Sequence, residues 1–384
     1  MSDHALPDDI VCASDYTRHA RTRLPPAVLA QLDGGSGREH TLGANRAAFD
    51  ALQLQPRVLV DAAHGSTRTA LFGQALRHPV MLAPVGWQRL YHADGECASA
   101  RAAAATDTGL VLSTLSCEPL ETVADCGPSP RWFQLYLQPH RADSERLLRR
   151  AEAAGYGAIV VTLDTPVQTP PRQAQRLGFR LPPGMTAGNL AGQAPLPQRM
   201  LAVDDSPVFQ GLMAEAPRWE DIDWLRRATS LPILAKGVTH PDDAERLVAL
   251  GIDGLVVSNH GGRALDGAPA ALVSLRAVRA RLGPDVPLLV DGGIAGGDDV
   301  FKALACGADA VLLGRLAMHA LAVGGAVGLA HCLKLLRGEL EVAMALTGCP
   351  TVADIGAHAL FDPARFEPVA FESDRARAAR AQTR

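Results

Sequence analysis

From about residue 79 the chain alternates short apolar runs with longer amphipathic stretches. The runs are "PVMLAP" (79–84), "GLVLST" (109–114), "WFQLYL" (132–137), "AIVVTL" (158–163), "PILAKG" (232–237), "GLVVSN" (254–259), "PLLVDGG" (287–293) and "AVLLGR" (310–315). They are rich in Val, Leu and Ile and lack apolar–polar alternation, the pattern of strands covered on both faces of a parallel sheet. Between them lie helix-like segments such as 94–107, 142–154, 241–250 and 297–306, several opening on acidic or capping residues after Pro or Gly, as in "THPDDAERLVALG". Eight strand–helix pairs in this order predict an α/β fold, a (β/α)8 TIM barrel. A doubly wound open sheet is the alternative, but no GxGxxG motif follows the first strand.

Two segments fall outside the repeat. Residues 1–78 read as a helical N-terminal extension capping the barrel (79–340), and residues 341–384 form a C-terminal segment of the same single domain. Residues 164–218 separate the fourth strand from its helix and are rich in Pro, Gly, Gln and Ala, with few large apolar residues. A loop this long inside a compact domain reads as a mobile lid over an active site.

Composition narrows the function classes. The 384 residues are 47% hydrophobic and 20% charged, and 37 Lys and Arg against 41 Asp and Glu give a net charge of −4 with both signs interspersed. No concentrated basic face points to nucleic acid; the basic "RARAARAQTR" at the C-terminus reads as a frayed helical tail. Seven cysteines are scattered without a CxxC or Cys/His ligand spacing, which suits reduced thiols in the cytoplasm and excludes a zinc site. The N-terminus lacks a signal-peptide core, and no apolar run is expected to reach the roughly 18 residues of a membrane span.

In a parallel barrel chemistry gathers at the C-terminal strand ends. Those ends hold Pro84-Val85-Gly86, Ser113, Gln134 and Tyr136, Thr162 and Asp164, Lys236, Ser258 with His260 and Arg263, Asp291-Gly292-Gly293, and Gly314-Arg315. A lysine ending the run "PILA" is the least ordinary, because an unpaired buried ammonium costs several kcal/mol or shifts its pKa. "DGGI" (291–294) and "LLGR" (312–315) supply glycines and helix N-termini after the last two strands, the recurring phosphate site of such barrels. Two chemistries fit. Lys236 could form a Schiff base in an aldolase of a phosphorylated sugar. Alternatively the phosphate belongs to FMN, Lys236 balances charge at the reduced ring, and Ser113, Gln134, Thr162 and Ser258 bond its polar edge.

The motifs "APVGWQRLYHADGE", "WFQLY", "TLDTP", "ILAKGV", "VVSNHGGRALDG", "VDGGI", "GADAVLLGR" and "MALTGC" together resemble the FMN-dependent α-hydroxy acid oxidases and dehydrogenases, over roughly residues 15–355. "RWEDIDWLRRATSLPILAKGVTHPDDA" is similar to the lactate monooxygenase branch. The resemblance implies FMN as cofactor and an (S)-2-hydroxy acid as substrate, oxidised to the 2-oxo acid with electrons passing as hydride or by way of a carbanion. It implies His260 as base, Asp164 as the carboxylate orienting it, Arg263 as the grip on the substrate carboxylate, Tyr136 as a hydrogen-bond donor to substrate and Lys236 beside the flavin. Ser113, Gln134, Thr162, Ser258, Asp291 to Gly293, Gly314 and Arg315 become FMN contacts, and the 164–218 segment becomes the active-site loop. O2, a quinone or a carrier protein would take the electrons, and the family is commonly tetrameric.

Four positions depart from the family pattern. Gln31 stands where a substrate-binding tyrosine is usual, Leu115 where a tryptophan is frequent, Pro171 where a second carboxylate-binding arginine is expected, and Ala295 at a phosphate-binding arginine. Arg172, one residue later, is the candidate replacement for the missing clamp. The smaller side chains imply a roomier pocket and a larger hydroxy acid. Oxidative decarboxylation, an FMN-binding barrel without turnover, and the Schiff-base lyase stay open as alternatives.

Overall fold

The computed structural model describes residues 6–193 and 200–362. The C-terminal tail and residues 194–199 of the long insert lie outside the described residues.

The eight apolar runs form β3 (Val80–Leu82), β4 (Gly109–Ser113), β5 (Arg131–Leu135), β6 (Ile159–Thr162), β7 (Ile233–Val238), β8 (Gly254–Val257), β9 (Leu288–Asp291) and β10 (Ala310–Leu313). They pair in parallel and in chain order, and β10 returns to β3, closing a barrel. The open-sheet alternative is thereby excluded. Alternate side chains serve two cores. Met81, Val111, Trp132, Val160, Leu234, Val256, Leu289 and Leu312 fill the barrel interior. Val80, Leu82, Leu110, Leu112, Phe133 and Val161 belong to the layer under the helices. Both faces are dry, so the strands show no polar alternation.

The covering helices are α4 (Gly95–Ala105), α5 (Leu120–Asp125), α6 (Arg141–Ala153), α8 (Trp219–Ala228), α9 (Pro241–Ala249), α10 (Ala271–Leu282), α11 (Gly297–Ala305) and α12 (Arg315–Thr347). Local sequence sets their starts: α9 places Pro241 in its first turn, and the His240 ring accepts the Asp242 N–H at 3.1 Å. By length and composition α12 could cross a membrane, contrary to the sequence expectation. However, 67% of its apolar window is buried in the protein, and non-helical Gly324 and Gly325 break it. Its apolarity is that of a core helix.

The N-terminal extension is not wholly helical. After α1 (Asp15–Arg23), α2 (Pro26–Asp33) and α3 (His40–Asp50) comes an antiparallel hairpin, β1 (Thr69–Leu71) and β2 (Gln74–Leu76). Leu71, Leu76 and Phe72 pack onto the barrel's inner core, with Phe72 edge-on to Trp132 at 5.6 Å. The Trp132 indole donates to Gln74 Oε1 at 3.1 Å. The hairpin therefore seals one barrel mouth and leaves the strand C-termini for chemistry. The insert after β6 contains α7 (Arg172–Arg176) and is pinned by buried Asn189, which receives the Leu120 N–H and donates to the Ser113 carbonyl.

Candidate active site

A cavity of about 510 Å³ opens at the C-terminal strand ends. Pro84, Val85, Gly86, Ser113, Tyr136, Lys236, His260, Arg263, Asp291, Gly292, Gly293, Gly314 and Arg315 line it, as does Gln31 from α2. Strand register explains the convergence. Ser113 pairs with Gln134 and Thr162 with Lys236, so each follows its neighbour around the rim. The side chains of Gln134 and Thr162 are buried, and among the described residues Gln134 Nε2 and Thr162 Oγ1 have no hydrogen-bond partner.

His260 sits at the end of the β8 run with a left-handed φ of 58°, and its N–H donates to Ser258 Oγ at 2.9 Å. Its Nδ1 lies 2.9 Å from Asp164 Oδ1, whose side chain is 7% exposed. Burial pushes the Asp164 pKa up, but the imidazole and the Lys236 ammonium outweigh it and hold the carboxyl below its ordinary range. Space for Asp164 comes from a bulge in β7 at Gly237, where φ is +97° and a Cβ would come within 2.4 Å of the aspartate.

Lys236 is fully enclosed. Its Nζ donates to Ser258 Oγ and pairs with Asp291 Oδ2, both at 2.9 Å, and Ser258 donates to Asp291 Oδ1 at 2.5 Å. Burial favours the neutral amine, yet Asp291 and Asp164 outweigh it and raise the pKa. With its ammonium held between Ser258 Oγ and Asp291, Lys236 is arranged as a fixed cation rather than as a free carbonyl nucleophile. Ser258, expected against the flavin, also braces Lys236, Asp291 and the His260 backbone.

The two arginines of the rim are anchored by backbone carbonyls. Arg263 Nη1 donates to the carbonyls of Gln31 at 2.7 Å and Gly34 at 2.9 Å. Among the described residues its Nε and Nη2 have no partner, so that guanidinium edge is left to the cavity. Arg315, expected on phosphate, lines the cavity beside Gly314 and donates one N–H from each nitrogen to a carbonyl: Leu32 at 3.0 Å, Gly261 at 2.8 Å and Gly34 at 3.0 Å. Burial and repulsion by Arg263 lower its pKa to about 10. A Cβ on Gly261 would meet Arg315, and one on Gly262 would meet Leu42 of α3. Arg172 is exposed and lies off the cavity wall, so it does not replace the missing clamp. Pro171 is buried against Gly34.

Burial raises the Tyr136 phenol above its ordinary pKa, keeping it a donor. Sequence reasoning missed Trp87, Leu90, Tyr91, Gln168, Phe179 and Leu181 on the cavity wall. Trp87 to Tyr91 continue the loop after β3 and were within reach of the rim argument, whereas Phe179 and Leu181 come from the insert and carry no local signal.

Two unpartnered polar side chains, a lysine cation, a strand-end glycine pair and a helix start at Gly314 fit the polar edge and phosphate of a flavin mononucleotide. Fold and site thus define a (β/α)8 flavin oxidoreductase. A family model for FMN-dependent dehydrogenase matches residues 20–362, and the chain belongs to that family. It is 51% identical over 350 residues to an L-lactate oxidase of Alicycliphilus denitrificans, covering 91% of this chain and 96% of that protein. Identity to 2-hydroxyacid oxidase 1 of Homo sapiens is 39% over 348 residues, covering 89% and 94%. A mandelate oxidase structure with benzoyl-formic acid superposes with a TM-score of 0.82 at 40% identity, covering 91% of this chain and 98% of that one. The protein is an FMN-dependent oxidoreductase.

Proposed function

We propose that the enzyme oxidises an (S)-2-hydroxy acid to the 2-oxo acid with O2 as the final acceptor. One observation carries this reading: a carboxylate-backed histidine, an open guanidinium edge, a phenol and a protonated lysine converge on one cavity. The names of the relatives, an L-lactate oxidase and a 2-hydroxyacid oxidase, support it.

FMN, when bound, supplies the two-electron acceptor. Gln134, Thr162 and Ser113 would hold its polar edge, and the backbone at Gly292, Gly293 and Gly314 its phosphate. Arg263 takes the substrate carboxylate through Nε and Nη2, a fork that fixes orientation as well as binding. Tyr136 donates to the substrate hydroxyl oxygen. His260, with Nδ1 tied to Asp164, takes the substrate proton at Nε2, and Asp164 stabilises the imidazolium. Lys236 offers a fixed positive charge as negative charge develops, with no reorganisation cost. Leu90, Leu115, Phe179 and Leu181 form an apolar wall, which supports a substrate side chain larger than the methyl of lactate.

A cytoplasmic homotetramer is part of the proposal. Free cysteines and the exposed Val58, Leu59, Val342 and Leu346 support it, and light scattering tests the oligomer. The function is tested by mixing the yellow holoprotein anaerobically with glycolate, L-lactate, (S)-mandelate and longer 2-hydroxy acids. At least one acid bleaches the flavin, and in air the same acid yields 2-oxo acid and peroxide. Bleaching by none leaves an FMN-binding barrel without turnover and overturns the reading. Carbon dioxide with the shortened acid, in place of peroxide, assigns the decarboxylating reaction instead.

A further inference from the structure

The last carbonyls of α2 have no intrahelical donors and form the negative end of the helix dipole. Here they do specific work. The carbonyls of Gln31, Leu32 and Gly34 receive Arg263 and Arg315, two buried guanidiniums that repel each other. This cradle fixes Arg263 Nη1 and so decides which edge faces the cavity.

Two independent contacts hold the cradle in place. Behind it, His319 of α12 is 4% exposed and bridges α1 to the end of α2. Its Nδ1 lies 3.1 Å from Thr17 Oγ1 and its Nε2 2.7 Å from Asp33 Oδ1. One tautomer satisfies both contacts, with Thr17 donating to Nδ1 and Nε2–H donating to the carboxylate. Asp33 also places a negative charge near Arg315. In front, Pro171 presses on Gly34 so closely that a Cβ there would come within 2.5 Å of the proline Cβ.

We propose that Asp33, His319 and Pro171 are positioning residues that clamp the α2 carbonyls onto Arg263 and thereby set the guanidinium edge that binds the substrate carboxylate. Pro171, at the position where a second arginine was expected, then contributes by packing on the cradle of the first. The proposal rests on the role given to Arg263 above.

The test compares holoenzymes carrying His319→Leu, His319→Gln and Asp33→Ala with the unaltered protein. It reads KM and kcat with the hydroxy acid of the panel above that bleaches the flavin fastest, and the Kd of oxalate from the perturbed flavin spectrum. His319→Leu and Asp33→Ala raise KM and the oxalate Kd on the order of tenfold, the effect of misplacing one charged hydrogen bond. Their kcat changes far less and FMN stays bound, while His319→Gln, which can still donate to Asp33, recovers most of the loss. Thr17→Val, which removes only the hydroxyl on Nδ1, carries the same prediction if His319→Leu does not fold. KM and oxalate Kd within twofold of the parent overturn the proposal. So does equal damage in the Leu and Gln variants with loss of flavin, which marks a merely structural role. If the unaltered protein is not reduced by any hydroxy acid, the oxidase reading fails, and the oxalate titration still decides the cradle.

Discussion

Replacing Lys236 with Met and Asp291 with Asn together should destabilise the chain by less than the sum of the two single changes. The pair is 2.9 Å apart, with side chains 4% and 11% exposed. At that separation an effective dielectric of about 20 gives roughly 6 kcal/mol of attraction, offset by several kcal/mol of desolvation for each ion. Lys236→Met leaves Asp291 buried with only the Ser258 hydroxyl as donor, and Asp291→Asn leaves an ammonium without its counter-charge. Each single change therefore costs about 3–5 kcal/mol. The double variant buries no uncompensated ion from the pair and costs less than the two added, by about 2 kcal/mol or more. Urea unfolding of the FMN-stripped chains, in which ligand binding contributes nothing, measures all four corners. Additivity within about 0.5 kcal/mol refutes the coupling, and with it the Lys236–Asp291 ion pair.

Arg263→Lys keeps the charge but loses the fork, so KM for the hydroxy acid rises on the order of ten- to a hundredfold in steady-state kinetics. Arg172→Ala leaves KM unchanged, because that side chain is exposed and off the cavity wall; a large rise in KM would return it to the site. The lowered Asp164 pKa makes a signed prediction. Its stabilising contribution is present above the unfolded carboxyl pKa of about 4 and is lost as pH falls through the lower folded value. Thermal melts below about pH 4 therefore fall less steeply for Asp164→Asn than for the parent, and parallel curves refute the assignment.

Legibility in the sequence followed contact range. The eight strands could be read because burial on both faces leaves unbroken apolar runs, and the rim followed once those runs were ordered. The hairpin at 69–76 escaped notice because its strands are three residues each, too short to show a period. Ser258 and Arg315 were placed on the rim, but their protein partners could not be read locally. Their surroundings depend on Asp291 and on the carbonyls of residues 32 and 34, brought up from distant parts of the chain. The Asp33–His319 contact spans 286 positions and has no local signature. Gln134 and Thr162 stand at the expected strand positions, and their unpartnered atoms became visible only in three dimensions.

The central claim is that His260, backed by Asp164, takes the substrate proton while the flavin is held by other residues. Rapid anaerobic mixing of His260→Gln with the best substrate, followed at the flavin band, tests it most directly. The variant stays yellow and binds substrate, but its reduction rate falls by about 10²-fold or more, the usual worth of a positioned base. An undiminished rate of bleaching in His260→Gln would contradict the account.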